Sequence, residues 1–263
     1  MNFFQRTAPK RSPLKAPPLR YAGQSLDEEI QKIIDDKIDG YGFWIVVFVG
    51  FTFFEWIRRY TAMPPQPVFF TLLAVFGSGY ALFRIGACKR QIRQLRTARD
   101  GERAVGQYLE ALREKGYRVF HDVCSKGFNI DHVLVGVGGI FTVETKTISK
   151  PAKGRSEIQY DGEQISVNGF VPDRDPIIQA KAQAHWLEGL IEESTGKTLK
   201  VRPVVIYPGW FVNKQPKGAE VWVLNPKNLP SFLEHEDKTL GSNDLSLVAY
   251  HLSRYVRASW EKS

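Results

Sequence analysis

The sequence predicts an α/β protein: a central mixed β-sheet flanked by helices, preceded by a two-helix transmembrane hairpin. Three observations predict it. Two long uncharged runs lie in the first third of the 263 residues. Downstream, short strand-like runs bounded by Gly, Pro, Asn and Asp alternate with segments of helical periodicity. The charge is also uneven. Residues 1–98 hold 14 Lys+Arg and 7 Asp+Glu, a net of +7, whereas residues 99–263 hold 22 and 21, a net of +1. The basic excess therefore reads as membrane flanks rather than as a nucleic-acid surface.

Residues 1–24 are basic, carry Pro9, Pro13, Pro17 and Pro18, and read as a disordered tail. An amphipathic helix over 25–39 follows, with Ser25 and Glu28 as a capping box and Ile30, Ile33, Ile34 and Ile38 on one face. The hairpin occupies 41–86. Its first run is uncharged from Tyr41 to Phe54 and broken by Glu55; its second extends from Pro64 to Phe83. A spanning helix needs about 20 mostly apolar residues, and neither run has a polar face. Seven Lys+Arg precede the first run, and Arg84, Lys89, Arg90, Arg93, Arg96 and Arg99 follow the second, against Arg58 and Arg59 between them. This bias expects both termini and the soluble domain in the cytoplasm, the bilayer being that of a bacterial inner membrane. Residues 87–98 read as a basic helical linker able to rest on anionic lipid.

Residues 99–263 form the soluble domain. Val105, Tyr108, Leu109 and Leu112 repeat at helical spacing, and Gly116 suits the end of their helix. Tyr117–Val123 reads as a strand, and Ile130–Val135 with Ile140–Lys146 as a hairpin about a Gly-rich turn. Gln164–Val167 belongs to a further small hairpin. Asp175-Pro176 opens a helix, Val201–Tyr207 and Glu220–Leu224 are buried strands, and Ser242 starts a last helix. Cys88 and Cys124 lie too far apart for a metal-type spacing or a disulfide framework, and His121, His132 and His185 have no ligand spacing.

The chemistry concentrates in FNIDHVLVGVGGIFTVETK. Side chains alternate along a strand, so Glu144 and Lys146 share a face, and the hairpin can bring Asp131 near it. Asp131 and Glu144 sit inside apolar runs, where a charge is costly unless compensated. Two carboxylates and an ammonium so gathered can hold Mg²⁺ and a water aimed at a phosphodiester. The plain alternative is an ion pair between Lys146 and Glu144. Glu102 lies on the core-facing side of its helix, where it either serves a site or favours the helix dipole.

GERAVGQYL, NIDHVLVGVGGIFTVETK and DPIIQAKAQ, in that order, resemble the nuclease-related domain (NERD) family of the restriction-endonuclease-like PD-(D/E)XK superfamily. The resemblance covers about residues 99–210. It implies a metal-dependent phosphodiesterase fold in which Glu102 is the first-helix glutamate, Asp131 the motif aspartate, Glu144 and Lys146 the E-X-K unit, and Gln179 the glutamine of a later helix. Asp131, Glu144 and the Thr145 carbonyl would then hold Mg²⁺ or Mn²⁺. Lys146 would orient water or offset phosphate charge, and Gln179 would hold water or substrate, or merely fasten helix to strand. The expected function is a membrane-anchored, metal-dependent nuclease acting on nucleic acid, with DNA the expected substrate. The alternative is a nuclease fold that binds or scaffolds at the membrane without turnover.

Overall fold

In a bilayer every backbone polar group must be satisfied within its own segment, and an apolar run meets that demand by becoming helical. The computed structural model describes residues 18–58, 66–150, 156–213 and 216–258. These fall into two compact units, one of residues 23–103 and one of residues 18–22 with 104–258.

The first unit is helical. Helix α1 (Gln24–Ile33) passes through a π-helical turn (Ile34–Ile38) into α2 (Asp39–Arg58), and α3 runs without a break over Pro67–Glu110. The 20 residues of α2 span about 30 Å at 1.5 Å each, the thickness of a hydrocarbon core. Two helical stretches, Gln24–Arg58 and Val68–Lys115, are long and apolar enough to cross a membrane. Their large side chains, among them Phe43, Val46, Phe53, Val68, Phe76 and Phe83, are exposed, unlike those of core helices. Between α2 and α3, a Cβ on Gly77 would lie 2.6 Å from the Phe48 ring, so only glycine allows this approach. Thr52 Oγ1 donates to the Phe70 carbonyl at 3.1 Å and Trp56 Nε1 to Thr71 Oγ1 at 3.3 Å. Glu55, which breaks the first run, is buried and accepts from Arg58 Nη1 at 2.7 Å and from the Gln66 N–H at 3.2 Å. The isoleucine stripe of α1 packs on Cys88 and Ile92 of α3. Helix α1 starts at Gln24, one residue before Ser25, and follows Gly23 at φ 74°.

The second unit is built on a five-stranded sheet of β1 (Arg118–Cys124), β2 (Asn129–Gly136), β3 (Gly139–Thr145), β6 (Val201–Ile206) and β8 (Trp222–Leu224), in the order β1-β2-β3-β6-β8. β1, β2 and β3 are antiparallel neighbours, and β3, β6 and β8 are parallel, so the sheet is mixed as expected. At the end of β2 the missing Cβ of Gly136 admits the Tyr117 ring, which a Cβ would meet at 2.3 Å. Helix α4 (Pro176–Thr195), N-capped by Asp175, lies in the crossover between β3 and β6. One face of the sheet, through Leu134, Phe141 and Val143, packs on Val105, Leu109 and Leu112 and on Leu229 and Leu233 of α5 (Leu229–Glu234). The other, through Val133, Val135 and Ile140, packs on Ala184, Leu187 and Ile191 of α4 and on Val248, Leu252 and Val256 of α6 (Ser242–Ala258). A second sheet of β4 (Glu157–Tyr160), β5 (Ile165–Val167) and β7 (Phe211–Val212) has the order β5-β4-β7 and shares a core with Val205 and Tyr207. The sequence indicated the β5 hairpin but not β7, whose two residues carry no periodicity.

Part of the predicted disordered tail is ordered. Arg20 is buried in the second unit, its Nε 2.6 Å from Asp122 Oδ2, and Leu19 packs against the α4/α6 side of the core. The charge on Arg20 read as solvated tail because its partner is 102 positions away. The rest of the expected tail, residues 1–17, lies outside the described residues. Removing one partner of a buried ion pair strands the other, at a cost of about 3 kcal/mol. Arg20→Met is therefore expected to lower unfolding free energy by about that much, read from urea denaturation of the full chain in detergent.

Candidate functional site

The last ladder pair between β2 and β3 is His132↔Val143. Both residues face the α3 side, so by alternation Asp131 and Glu144, one step beyond, face the α4 side. Asp131 lies where the β1–β2 ladder is also interrupted: the register passes from His121↔His132 to Val123↔Ile130. Between them Asp122 adopts φ 51°, a left-handed conformation that aspartate tolerates better than most residues. Asp131 thus comes to the end of β3 by its side chain, its Oδ2 accepting from the Thr145 N–H at 2.6 Å.

Glu144 is 4% exposed and its carboxylate is fully engaged. Lys146 Nζ donates to Oε1 at 2.7 Å, Gln179 Nε2 donates to the same oxygen at 2.7 Å, and Gln183 Nε2 donates to Oε2 at 2.6 Å. Lys146 also donates to Gln179 Oε1 at 2.7 Å, closing a three-membered ring of Glu144, Lys146 and Gln179. Gln183 spans from Glu144 to the Asn129 carbonyl on β2, at 3.1 Å. Gln179 and Gln183 are four residues apart on α4 and therefore project from one side of it. The two open alternatives from the sequence are both realised: Lys146 pairs with Glu144, and Gln179 fastens helix to strand within the same cluster.

The structure brings together Asp131, Glu144, Thr145, Lys146 and Gln179. Glu102 is buried on α3 in the unit of residues 23–103. Two residues escaped the sequence reading. Gln183 carried a signal, an amide four positions after Gln179 in an otherwise apolar helical stripe. Tyr207, directly after β6, is fully buried and had none. Among the described residues its hydroxyl and Gln183 Oε1 have no hydrogen-bond partner, a cost of about 1–3 kcal/mol each. Burial, with the charges of Asp175 and Glu144, lifts the Tyr207 phenol well above its ordinary value, so it stays protonated.

Whether these residues suit a divalent ion turns on donor chemistry. Among the described residues no three His, Cys, Asp or Glu side chains gather as a metal-holding group. Two carboxylates and a carbonyl are nevertheless the hard oxygen donors Mg²⁺ takes, and that ion keeps several waters rather than a full protein cage. The unpartnered Gln183 Oε1 shows further oxygen capacity beside Glu144. The donor set fits, with the condition that Glu144 exchange an amide or ammonium contact for the ion.

A second chain of contacts lies on the opposite face. Thr145 Oγ1 is 3.4 Å from His132 Nε2, His132 Nδ1 is 2.9 Å from His121 Nδ1, and His121 Nε2 is 2.7 Å from Glu110 Oε1. A carboxylate accepts, so His121 donates from Nε2 and receives at Nδ1. His132 then donates from Nδ1 and receives the Thr145 hydroxyl at Nε2. Burial drives His132 well below the ordinary imidazole value, helped by the charge of His121, and burial lowers His121 against the pull of Glu110.

Both imidazoles thus bind protons more weakly folded than unfolded. Their contribution to stability is complete above the unfolded value of about 6.5 and is lost as pH falls through the lower folded values. Urea midpoints measured from pH 8 to pH 5 are expected to be flat above about 6.5 and to fall below it, by up to about 1.4 kcal/mol per pH unit per histidine. A His132→Asn variant should show a shallower slope.

Comparison with curated proteins finds no match, and comparison with solved structures finds none. Residues 97–208, which contain Glu102, β1 to β6 and every member of the Glu144 cluster, match the family described as NERD: Nuclease-related domain.

Proposed function

We propose that this chain is a membrane-anchored, metal-dependent phosphodiesterase that acts on nucleic acid, with DNA as its substrate. The observation that carries this reading is the buried Glu144 carboxylate, held by Lys146, Gln179 and Gln183 beside Asp131 at one end of the sheet. The match to the nuclease-related domain supports the nuclease class.

Asp131, Glu144 and the Thr145 carbonyl are the residues that would hold Mg²⁺ or Mn²⁺. A bound divalent ion supplies acidified water and relief of charge on the phosphate. Lys146, part-exposed and still tied to Glu144 and Gln179, offsets phosphate charge and orients the attacking water. Gln179 fixes both the Lys146 ammonium and the Glu144 carboxylate, so it holds their separation. A role for Glu102 as an outer partner through water rests on the family resemblance.

A second reading, a nuclease fold that binds without turnover, draws on two observations. Both Glu144 oxygens are already engaged, and the net charge of residues 99–263 is only +1, whereas nucleic-acid surfaces are usually cationic. Turnover separates the two. The purified chain is expected to cut DNA only with Mg²⁺ or Mn²⁺, and Asp131→Asn, Glu144→Gln and Lys146→Met are expected to lose about 100-fold or more in rate with unchanged circular dichroism. DNA binding with no metal-dependent cutting would establish the second reading; variants as active as wild type would remove the site assignment.

The anchoring has its own structural support. Residues 18–22 and 104–258 belong to one compact unit, and the apolar stretches of both candidate spans lie between them in sequence. That placement supports an even number of crossings, and the flanking Lys and Arg favour the cytoplasm for that side. Protease added to sealed inside-out vesicles is expected to digest the 104–258 domain, and to spare it in right-side-out vesicles. The reverse pattern would overturn the orientation.

A further inference from the structure

Tyr207 is fully buried, and its hydroxyl has no hydrogen-bond partner among the described residues. Phenylalanine would fill the same space without that cost, so an isolated hydroxyl here calls for a ligand. Its place in the sheet says where the ligand would be. The parallel register of β3 and β6 pairs Glu144 with Val205 and Thr145 with Ile206, and the Lys146 N–H continues it by donating to the Ile206 carbonyl at 2.8 Å. The next step sets Tyr207 beside Lys146. Alternation puts its side chain on the face that carries Glu144 and Val205, where it packs with Ile177 and Ala180 of α4, the residues flanking Gln179 on that helix.

We propose that Tyr207 is a further catalytic residue of this site, its hydroxyl donating a hydrogen bond to a phosphoryl oxygen of the bound phosphodiester. The inference rests on the phosphodiesterase reading and adds a residue that the E-X-K pattern does not contain. The chemistry suits the role. The site already holds Asp131 and Glu144, so a neutral donor receives an anionic oxygen without adding another charge to be compensated. Burial, with the acidic neighbours, keeps the phenol protonated, and a protonated phenol can only improve its position by finding an acceptor. Lys146, Gln179 and Asp131 are the part-exposed members of the cluster, so the phosphate enters on their side.

The test is Tyr207→Phe in the full chain, which removes one oxygen atom. A hydroxyl that is unpartnered until substrate arrives gives a specific pattern: thermal stability unchanged or raised, kcat for DNA cleavage lowered about 10-fold, and KM changed less than kcat. A hydroxyl with a structural role gives the opposite, a loss of stability with kcat retained in the folded fraction, and that result would overturn the proposal. A second arm does not need turnover. Inorganic phosphate is titrated into wild type and Tyr207→Phe with Ca²⁺ present, and the variant is expected to bind about 5-fold more weakly. If wild type cuts DNA and the variant cuts and binds equally well, Tyr207 is excluded while the nuclease reading stands. If wild type cuts nothing but binds phosphate through Tyr207, turnover is excluded and the hydroxyl remains a phosphate donor. Equal phosphate binding, or none by either protein, excludes the role of Tyr207.

Discussion

A carboxylate below the surface of a protein is stable as an ion only if fixed donors replace the water it has lost. Glu144 is such a group, and much of the second unit is arranged around that requirement. Its donors come from two elements. Lys146 is on the same strand, two residues along, which keeps it on the same face by strand geometry alone. Gln179 and Gln183 are on α4 and must be brought there by packing. The apolar face of α4 continues from Gln183 through Ala184, Leu187 and Ile191 into the core, so the helix is seated by hydrophobic burial and its amides arrive in register with the carboxylate. Core packing and charge compensation are therefore one constraint. A shift of α4 by one turn would uncouple both.

The two faces of β3 divide the work. On the α4 side, Glu144 meets amides and an ammonium. On the other, Thr145 is met by the neutral His132–His121 pair, which ends on Glu110. The backbone between them carries the Thr145 N–H that binds Asp131. A three-residue stretch is thus held from both sides of the sheet and from the neighbouring strand. Such bracing is what a site requires if its donors are to be in place before substrate arrives. The unpartnered oxygens of Gln183 and Tyr207 lie within this braced region, and they are the local departure from full polar satisfaction that functional sites often show.

The sequence revealed what short-range geometry determines. The alternation of Glu144 and Lys146, the turn at Gly136 to Gly139, the Asp175-Pro176 start of α4 and the mixed sheet all follow from spacing, and the structure has each of them. Gln179 was legible through the family pattern, but its two bonds were not, because they depend on where α4 crosses β3. Gln183 was visible only as a polar residue in an apolar stripe. Tyr207 looked like one more strand aromatic, since nothing in a sequence tells a satisfied hydroxyl from an unsatisfied one. The hardest feature was the least local. Arg20 finds Asp122 across 102 positions and both apolar helices, while Asp122 itself takes a backbone conformation that strand propensity would not predict.

The charge distribution bears on how such a site would recognise its substrate. Residues 99–263 carry a net charge of +1, so long-range attraction to a polyanion is weak, and general contact with the phosphate backbone supplies little affinity. On the proposed function, recognition would be local, resting on Lys146, on any ion held by Asp131 and Glu144, and on neutral donors close to the phosphate. The exposed basic residues Arg84, Lys89, Arg90, Arg93 and Arg96 lie instead on α3, immediately after its apolar stretch, where the anionic surface of a bilayer is their natural counter-charge. On the proposed function, that charge would serve the bilayer, and the chemistry of residues 104–258 would rest on a few buried groups whose effect is set by geometry rather than by field.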